Sequence, residues 1–169
     1  MMAHDSVSNI KDIIINNVKD ALAEAEFRSY KLILVVLETK VRLSLIPELK
    51  NSGIEFLNVS KLLSQRLVCL SVKERIRRLE SEFASIVDEG QEKMWLANLN
   101  LLFDPSLNID PIILLKWLSK SRTVVAIWPG KIYGTSLVYA EPGFEDYRSY
   151  SLQELNDIQI VNLYSGVVK

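Results

Sequence analysis

The sequence predicts an α/β fold with a mainly parallel sheet flanked by helices, and three observations predict it. Apolar runs recur at 32–37, 93–103 and 122–128, and 32–37 has no polar alternation, as expected of a strand covered on both faces. Segments with helical spacing and recognisable caps fall between them. No internal repeat, low-complexity run or linker interrupts this alternation, and 169 residues suit one compact domain.

The elements follow in order. Residues 7–27 carry an apolar stripe through Val7, Ile10, Ile13, Ile14, Val18, Ala21, Leu22 and Ala25 at spacings of three and four, a helix that Ser6 or Ser8 can cap. The strand 32–37 leads into a helix over 40–49, which Pro47 limits to two or three turns. Gly53 ends that unit, "IEFLNV" reads as the second strand, and "SKLLSQRL" as a helix. Ser71-x-x-Glu74 is a capping box opening a helix over 72–88, with Gly90 as its stop. "KMWLANLNLLF" is the third strand. Asp110-Pro111 caps the helix "IILLKWLSKS", "RTVVAIW" is the fourth strand, and shorter strands follow at 136–140 and 158–163. The N-terminal helix (1–28) thus precedes an α/β unit over 29–169.

Composition narrows the function. The formal charge is −1, so nucleic-acid contact needs a local patch. A single cysteine, Cys69, precludes an internal disulfide and reads as a small buried hydrophobe. The three tryptophans read as core. The N-terminus lacks a secretory pattern, and no apolar run nears the roughly 20 residues of a membrane span. The chain therefore reads as soluble and cytoplasmic, with no membrane partner. His4, the only histidine, falls in a terminus expected to be mobile, which leaves no triad hydrolase.

Thr39-Lys40, between a buried strand and a helix, invites a nucleotide reading. A P-loop needs about eight residues there, with glycines that let successive N–H groups converge on phosphate. The sequence has no glycine before Gly53, and Glu38 adds a carboxylate. The end of the third strand, where an Asp would hold Mg²⁺ and a Glu would polarise water, reads Ala97, Asn98, Leu99 and Asn100. Neither half supplies the chemistry of hydrolysis.

"NLLFDPSLNIDPIILLKWLSKSRTVVAIWPG" and "LVYAEPGFEDYRSY" together resemble the small P-loop protein, BrxF, of type III BREX (bacteriophage exclusion) systems. That family follows its Walker A loop with D-N-x-E-L-L-F-D-P-S-L, then R-T-V-V-A-x-W-P-G and Y-A-E-P-G-x-x-x-Y. The resemblance spans residues 28–163 and is strongest from Asn98 to Tyr150. Asn98, Leu101, Leu102, Phe103, Asp104 and Pro105 match. Ala97 stands at the Walker B Asp, Asn100 at the Glu, and Lys40 is the remaining counterpart of the Walker A Lys. The resemblance implies a three-layer P-loop NTPase-like fold and a prokaryotic anti-phage setting.

Three readings stay open. The preferred one is a pseudo-ATPase subunit of a defence complex that acts through protein contacts, with no catalytic residues, metal or cofactor. The second is an ATPase using ATP and Mg²⁺ at a non-standard or partner-completed site, with Thr39 and Lys40 on phosphate and Asp104 replacing the lost ligand. The third is a DNA-binding adaptor using Arg66, Lys73, Arg75, Arg77 and Arg78, whose interleaving with Glu74, Glu80 and Glu82 also suits a solvated helix face. Phe144, Tyr147, Arg148 and Tyr150 form a candidate docking loop. The N-terminal helix can cover the sheet or serve self-association.

Overall fold

The computed structural model describes residues 2–88 and 93–163. Helix α1 (Met2–Ala25) leads into strand β1 (Leu32–Val36), helix α2 (Thr39–Asn51) and strand β2 (Phe56–Asn58). Helices α3 (Val59–Leu67) and α4 (Val72–Asp88) connect to strand β3 (Lys93–Ala97). Two 3-10 turns, Asn100–Phe103 and Pro105–Leu107, then lead to helix α5 (Pro111–Leu118) and strand β4 (Thr123–Trp128). Strands β5 (Lys131–Tyr133), β6 (Ser136–Tyr139), β7 (Arg148–Ser151) and β8 (Gln159–Asn162) complete the described chain.

Five strands form a parallel sheet in the order β2-β3-β4-β1-β8. β1 is an interior strand, flanked by β4 and β8, and is buried along its whole length because both of its faces are covered. Leu32, Leu34 and Val36 enter a cluster with α3, α4 and α5, whereas Ile33 and Val35 face α1 and α2. Each fully buried aliphatic side chain of this kind contributes about 1.5–3 kcal/mol relative to exposure. α1 meets the sheet with Ile14, Val18, Ala21 and Ala25, flanked by the partly buried Ile10 and Leu22, whereas Ile13 of the expected stripe is 45% exposed. α1 starts earlier than its pattern suggests, and residue 4 lies within it.

The caps read from sequence are present. Glu74 Oε2 accepts from the Ser71 N–H at 2.9 Å, while Ser71 Oγ accepts from the Glu74 N–H at 3.4 Å. Asp110 Oδ1 accepts from the Ile113 N–H at 3.0 Å, with Pro111 at the first helical position. Gly90 lies outside the described residues.

Several expectations are corrected. β3 stops at Ala97, because Asn98 turns left-handed at φ 54°. The apolar run beyond it instead forms a 3-10 turn whose Leu102 and Phe103 remain in the core. Pro47 does not limit α2 to its predicted end: the helix runs 13 residues with Pro47 inside it. Cys69 is exposed rather than buried, as it lies in the turn between α3 and α4. Trp128 is a core residue, but Trp117 is 45% exposed on α5.

The largest departure lies between β4 and β8. What reads as a Gly-Pro-marked loop includes β7, and β5, β6 and β7 make a second, antiparallel sheet. Leu137 packs from this sheet into the cluster on the α3–α5 face. The indole Nε1 of Trp128 donates to the Val138 carbonyl at 2.9 Å, fastening the small sheet to the end of β4.

Candidate functional site

In open α/β sheets, ligands bind beyond the carboxyl ends of the strands, where neighbouring strands send their connections to opposite faces. β1 and β4 are such neighbours: α2 packs on one face, and the chain after β4 builds the small sheet on the other. The crevice between their ends encloses only about 220 Å³, among Leu37, Thr39, Pro129, Gly130, Lys131 and Val138.

This crevice lacks a phosphate cradle. Only Leu37 and Glu38 separate β1 from α2. Leu37 is buried, and Glu38 has φ −59° and ψ 146° with no side-chain cap to the helix. No residue from 37 to 42 has the positive φ with which a nest turns successive N–H groups inward. Arg42, in the first turn of α2, donates from Nη1 to the Trp128 carbonyl at 3.0 Å and closes the two elements on each other. Burial holds its guanidinium below the usual arginine range.

Thr39 and Lys40 line different cavities. Thr39 lines the crevice, whereas Lys40 lines a separate small cavity with Ile10, Val41, Ser44 and Leu45, between α1 and α2.

The second half of a nucleotide site would lie at the end of β3. Ala97 is buried there and offers no ligand. The carbonyl of Asn98 accepts from the Ser60 N–H at 2.9 Å and from the Ser60 hydroxyl at 2.5 Å. Ser60 Oγ in turn accepts from the Leu101 N–H at 3.0 Å, so one serine ties α3 to the 3-10 turn. The exposed Asn100 bonds the Tyr139 hydroxyl; burial and the charge of Asp146 raise that phenol's pKa, and the Asn100 bond opposes them. Asp104 accepts from the Ser106 N–H at 2.8 Å, a turn-capping role. Among the described residues, no group of three or more His, Cys, Asp or Glu side chains converges to hold a metal.

Phe103, Trp128, Tyr139 and Tyr150, distant from one another in the chain, meet in an aromatic cluster. Phe103 stacks on Tyr139 with centroids 3.7 Å apart and meets Trp128 edge-on at 5.3 Å. Trp128 meets Tyr150 edge-on at 6.0 Å. The Tyr150 hydroxyl donates to Asp110 Oδ1 at 3.3 Å; burial first, then the Asp110 charge, pushes its pKa upward. Within the candidate docking loop, Tyr150 therefore locks the small sheet down. Arg148 donates to the Tyr147 and Glu145 carbonyls at 2.9 and 3.4 Å. Phe144 alone of the four stands out, 66% exposed.

Beside this cluster lies an open groove of about 850 Å³. Ser60, Lys61 and Ser64 of α3 form one wall; Phe144, Glu145 and Asp146 form the other; Asn100, Leu101, Phe103, Asp104 and Pro105 line the rest. Sequence reading singled out Asn100, Leu101, Phe103, Asp104, Pro105 and Phe144, but not Ser60, Lys61, Ser64 or Glu145. The N-cap Asn58, which accepts from the Lys61 N–H at 3.0 Å, was the available sign of a helix starting at this edge.

The basic run on α4 is largely engaged within the chain. Arg75 donates from Nε to the Leu67 and Leu70 carbonyls, each at 3.0 Å, and from Nη2 to the Val68 carbonyl at 3.3 Å, capping the end of α3. Arg78 pairs with Glu82 at 2.6 Å, and Arg66 reaches Ser85 at 3.0 Å and Glu82 at 3.4 Å. Lys73 and Arg77 remain exposed.

Fold and edge define an α/β protein with a five-stranded parallel sheet, a closed central crevice and an open lateral groove. Comparison with family models, curated proteins and solved structures found no match. No helix of the described chain is long and apolar enough to cross a membrane.

Proposed function

We propose that this protein is a catalytically degenerate, P-loop-NTPase-like subunit of a prokaryotic anti-phage complex, acting through protein contacts. The observation that carries the reading is the two-residue connection from β1 to α2, closed by the Arg42–Trp128 bond. An interior strand running into a helix, with a third strand ending two positions away on the same sheet edge, supports the P-loop-like frame. Ala97 and Asn100 at the end of that third strand support the loss of metal binding and catalysis. The resemblance of residues 28–163 to the BREX protein supports the setting.

The competing reading, an ATPase completed by a partner, draws on the exposure of Thr39 and Lys40 at the start of α2. Phage plating on a host carrying the full defence locus separates the two. Lys40→Ala is expected to leave protection at the wild-type level; loss of protection with the protein still folded and abundant would count against the pseudo-ATPase reading.

A further inference from the structure

The groove beside α3 is open to solvent, and the protein-contact reading requires a surface of this kind. Its shape is fixed from three sides. Ser60 fastens α3 to the 3-10 turn, Phe103 stacks on Tyr139, and the outer wall is held by two turn bonds. These run from the Phe144 N–H to the Glu141 carbonyl at 3.2 Å and from the Tyr147 N–H to the Phe144 carbonyl at 3.1 Å. Gly143, at φ 98°, supplies the left-handed step that such a wall needs. Phe144 is thus held out toward solvent by ordered backbone, above an apolar floor that includes Leu101 and Phe103. An aromatic side chain in this position loses apolar burial that only an occupant of the groove restores.

Charge selects the occupant. Asp104, Glu145 and Asp146 oppose Lys61 alone around the groove, three negative charges against one positive. None of the three carboxylates takes part in an ion pair among the described residues. A nucleotide or a nucleic-acid backbone would bring further negative charge to this rim, whereas lysine or arginine would find partners there. We propose that the groove docks a partner-protein segment with an apolar or aromatic side chain flanked by basic residues. The apolar side chain lies between Leu101 and Phe144, and the basic groups meet Glu145, Asp146 and Asp104.

The inference rests on the protein-contact reading, and its test is independent of nucleotide. A phage-displayed library of random twelve-residue peptides is selected against the full chain. Enriched peptides are then titrated by fluorescence anisotropy against wild type, Phe144→Ser and the double variant Glu145→Lys/Asp146→Lys. The expected result is enrichment of apolar residues flanked by Lys or Arg, with binding weakened about tenfold or more in each variant. Unchanged circular dichroism and thermal midpoint of the exposed-site variant Phe144→Ser keep the comparison interpretable. Enrichment of acidic peptides, equal binding to the variants, or no enrichment over an unrelated bait would overturn the proposal. So would self-association that Phe144→Ser abolishes, because the occupant would then be a second copy. Failure here with no ATP bound removes the groove proposal alone; tight ATP binding strikes at the underlying reading.

Discussion

The guanidinium of Arg42 donates from Nη1 to the carbonyl of Trp128 at 3.0 Å, joining the first turn of α2 to the last residue of β4. The bond links the two elements that bound the central crevice. A charged donor on a part-buried carbonyl contributes roughly 1–2 kcal/mol after allowance for its solvent contact. Arg42→Ala is expected to lower stability by about that amount in urea unfolding. It should not create nucleotide binding, since the backbone of residues 37–39 still forms no cradle. An unchanged urea midpoint would show that the bond does not hold α2 to the sheet.

Gly130 follows β4, where a Cβ would come 1.9 Å from the Val138 carbonyl oxygen and 2.8 Å from the Trp128 indole nitrogen. Backbone cannot yield as a flexible side chain does, so Gly130→Ala must push the small sheet off the end of β4. The expected cost is about 1–3 kcal/mol, with loss of the buried Trp128 fluorescence signature. A variant as stable as wild type would show that the two sheets are not held at this point.

Arg75 and Arg77 lie two positions apart on α4, and they should behave differently. Arg75 satisfies three carbonyls at the end of α3. Arg75→Ala is expected to destabilise by about 1–2 kcal/mol, because the part-buried Leu67 and Leu70 carbonyls lose a charged donor. Arg77→Ala, at an exposed position, should stay within about 0.5 kcal/mol. Equal effects in thermal melts would contradict the capping role of Arg75.

Tyr150 gives the fold a predictable alkaline limb. Burial and then the Asp110 charge raise its folded pKa above the ordinary 10.0. The folded state therefore keeps a proton that the unfolded chain gives up. The stabilisation is full below pH 10 and is lost as pH rises through the folded value. Tyr150→Phe is expected to cost about 1 kcal/mol at neutral pH through the lost bond to Asp110. It should also flatten the decline of stability above pH 10, leaving the smaller contribution of Tyr139, which is raised for a similar reason. Parallel alkaline limbs for the two proteins would contradict this assignment.

The core of the fold was legible because it depends on local pattern. β1 and β4 are continuous apolar runs, and Ser71, Glu74 and Asp110 announce helix starts through side chains a few residues from their targets. The small sheet was less legible, since β5 and β7 are three and four residues long and only half-buried. Their sheet is held in place by the Trp128–Val138 bond and by Phe103 stacked on Tyr139, contacts that no local pattern announces. The absence of a cradle was readable from missing glycines, but its closure was not: nothing around Arg42 shows that it reaches Trp128. The lateral groove was hidden for the same reason, as Ser60 and Phe144 approach only after the sheet has formed.

The central claim is that the crevice between β1 and β4 no longer serves a nucleotide. Calorimetric titration of the full chain and of Lys40→Ala with ATP and Mg²⁺ tests it most directly. The account predicts no saturable heat up to about 1 mM ATP for either protein. Micromolar binding that weakens tenfold or more in Lys40→Ala would contradict it.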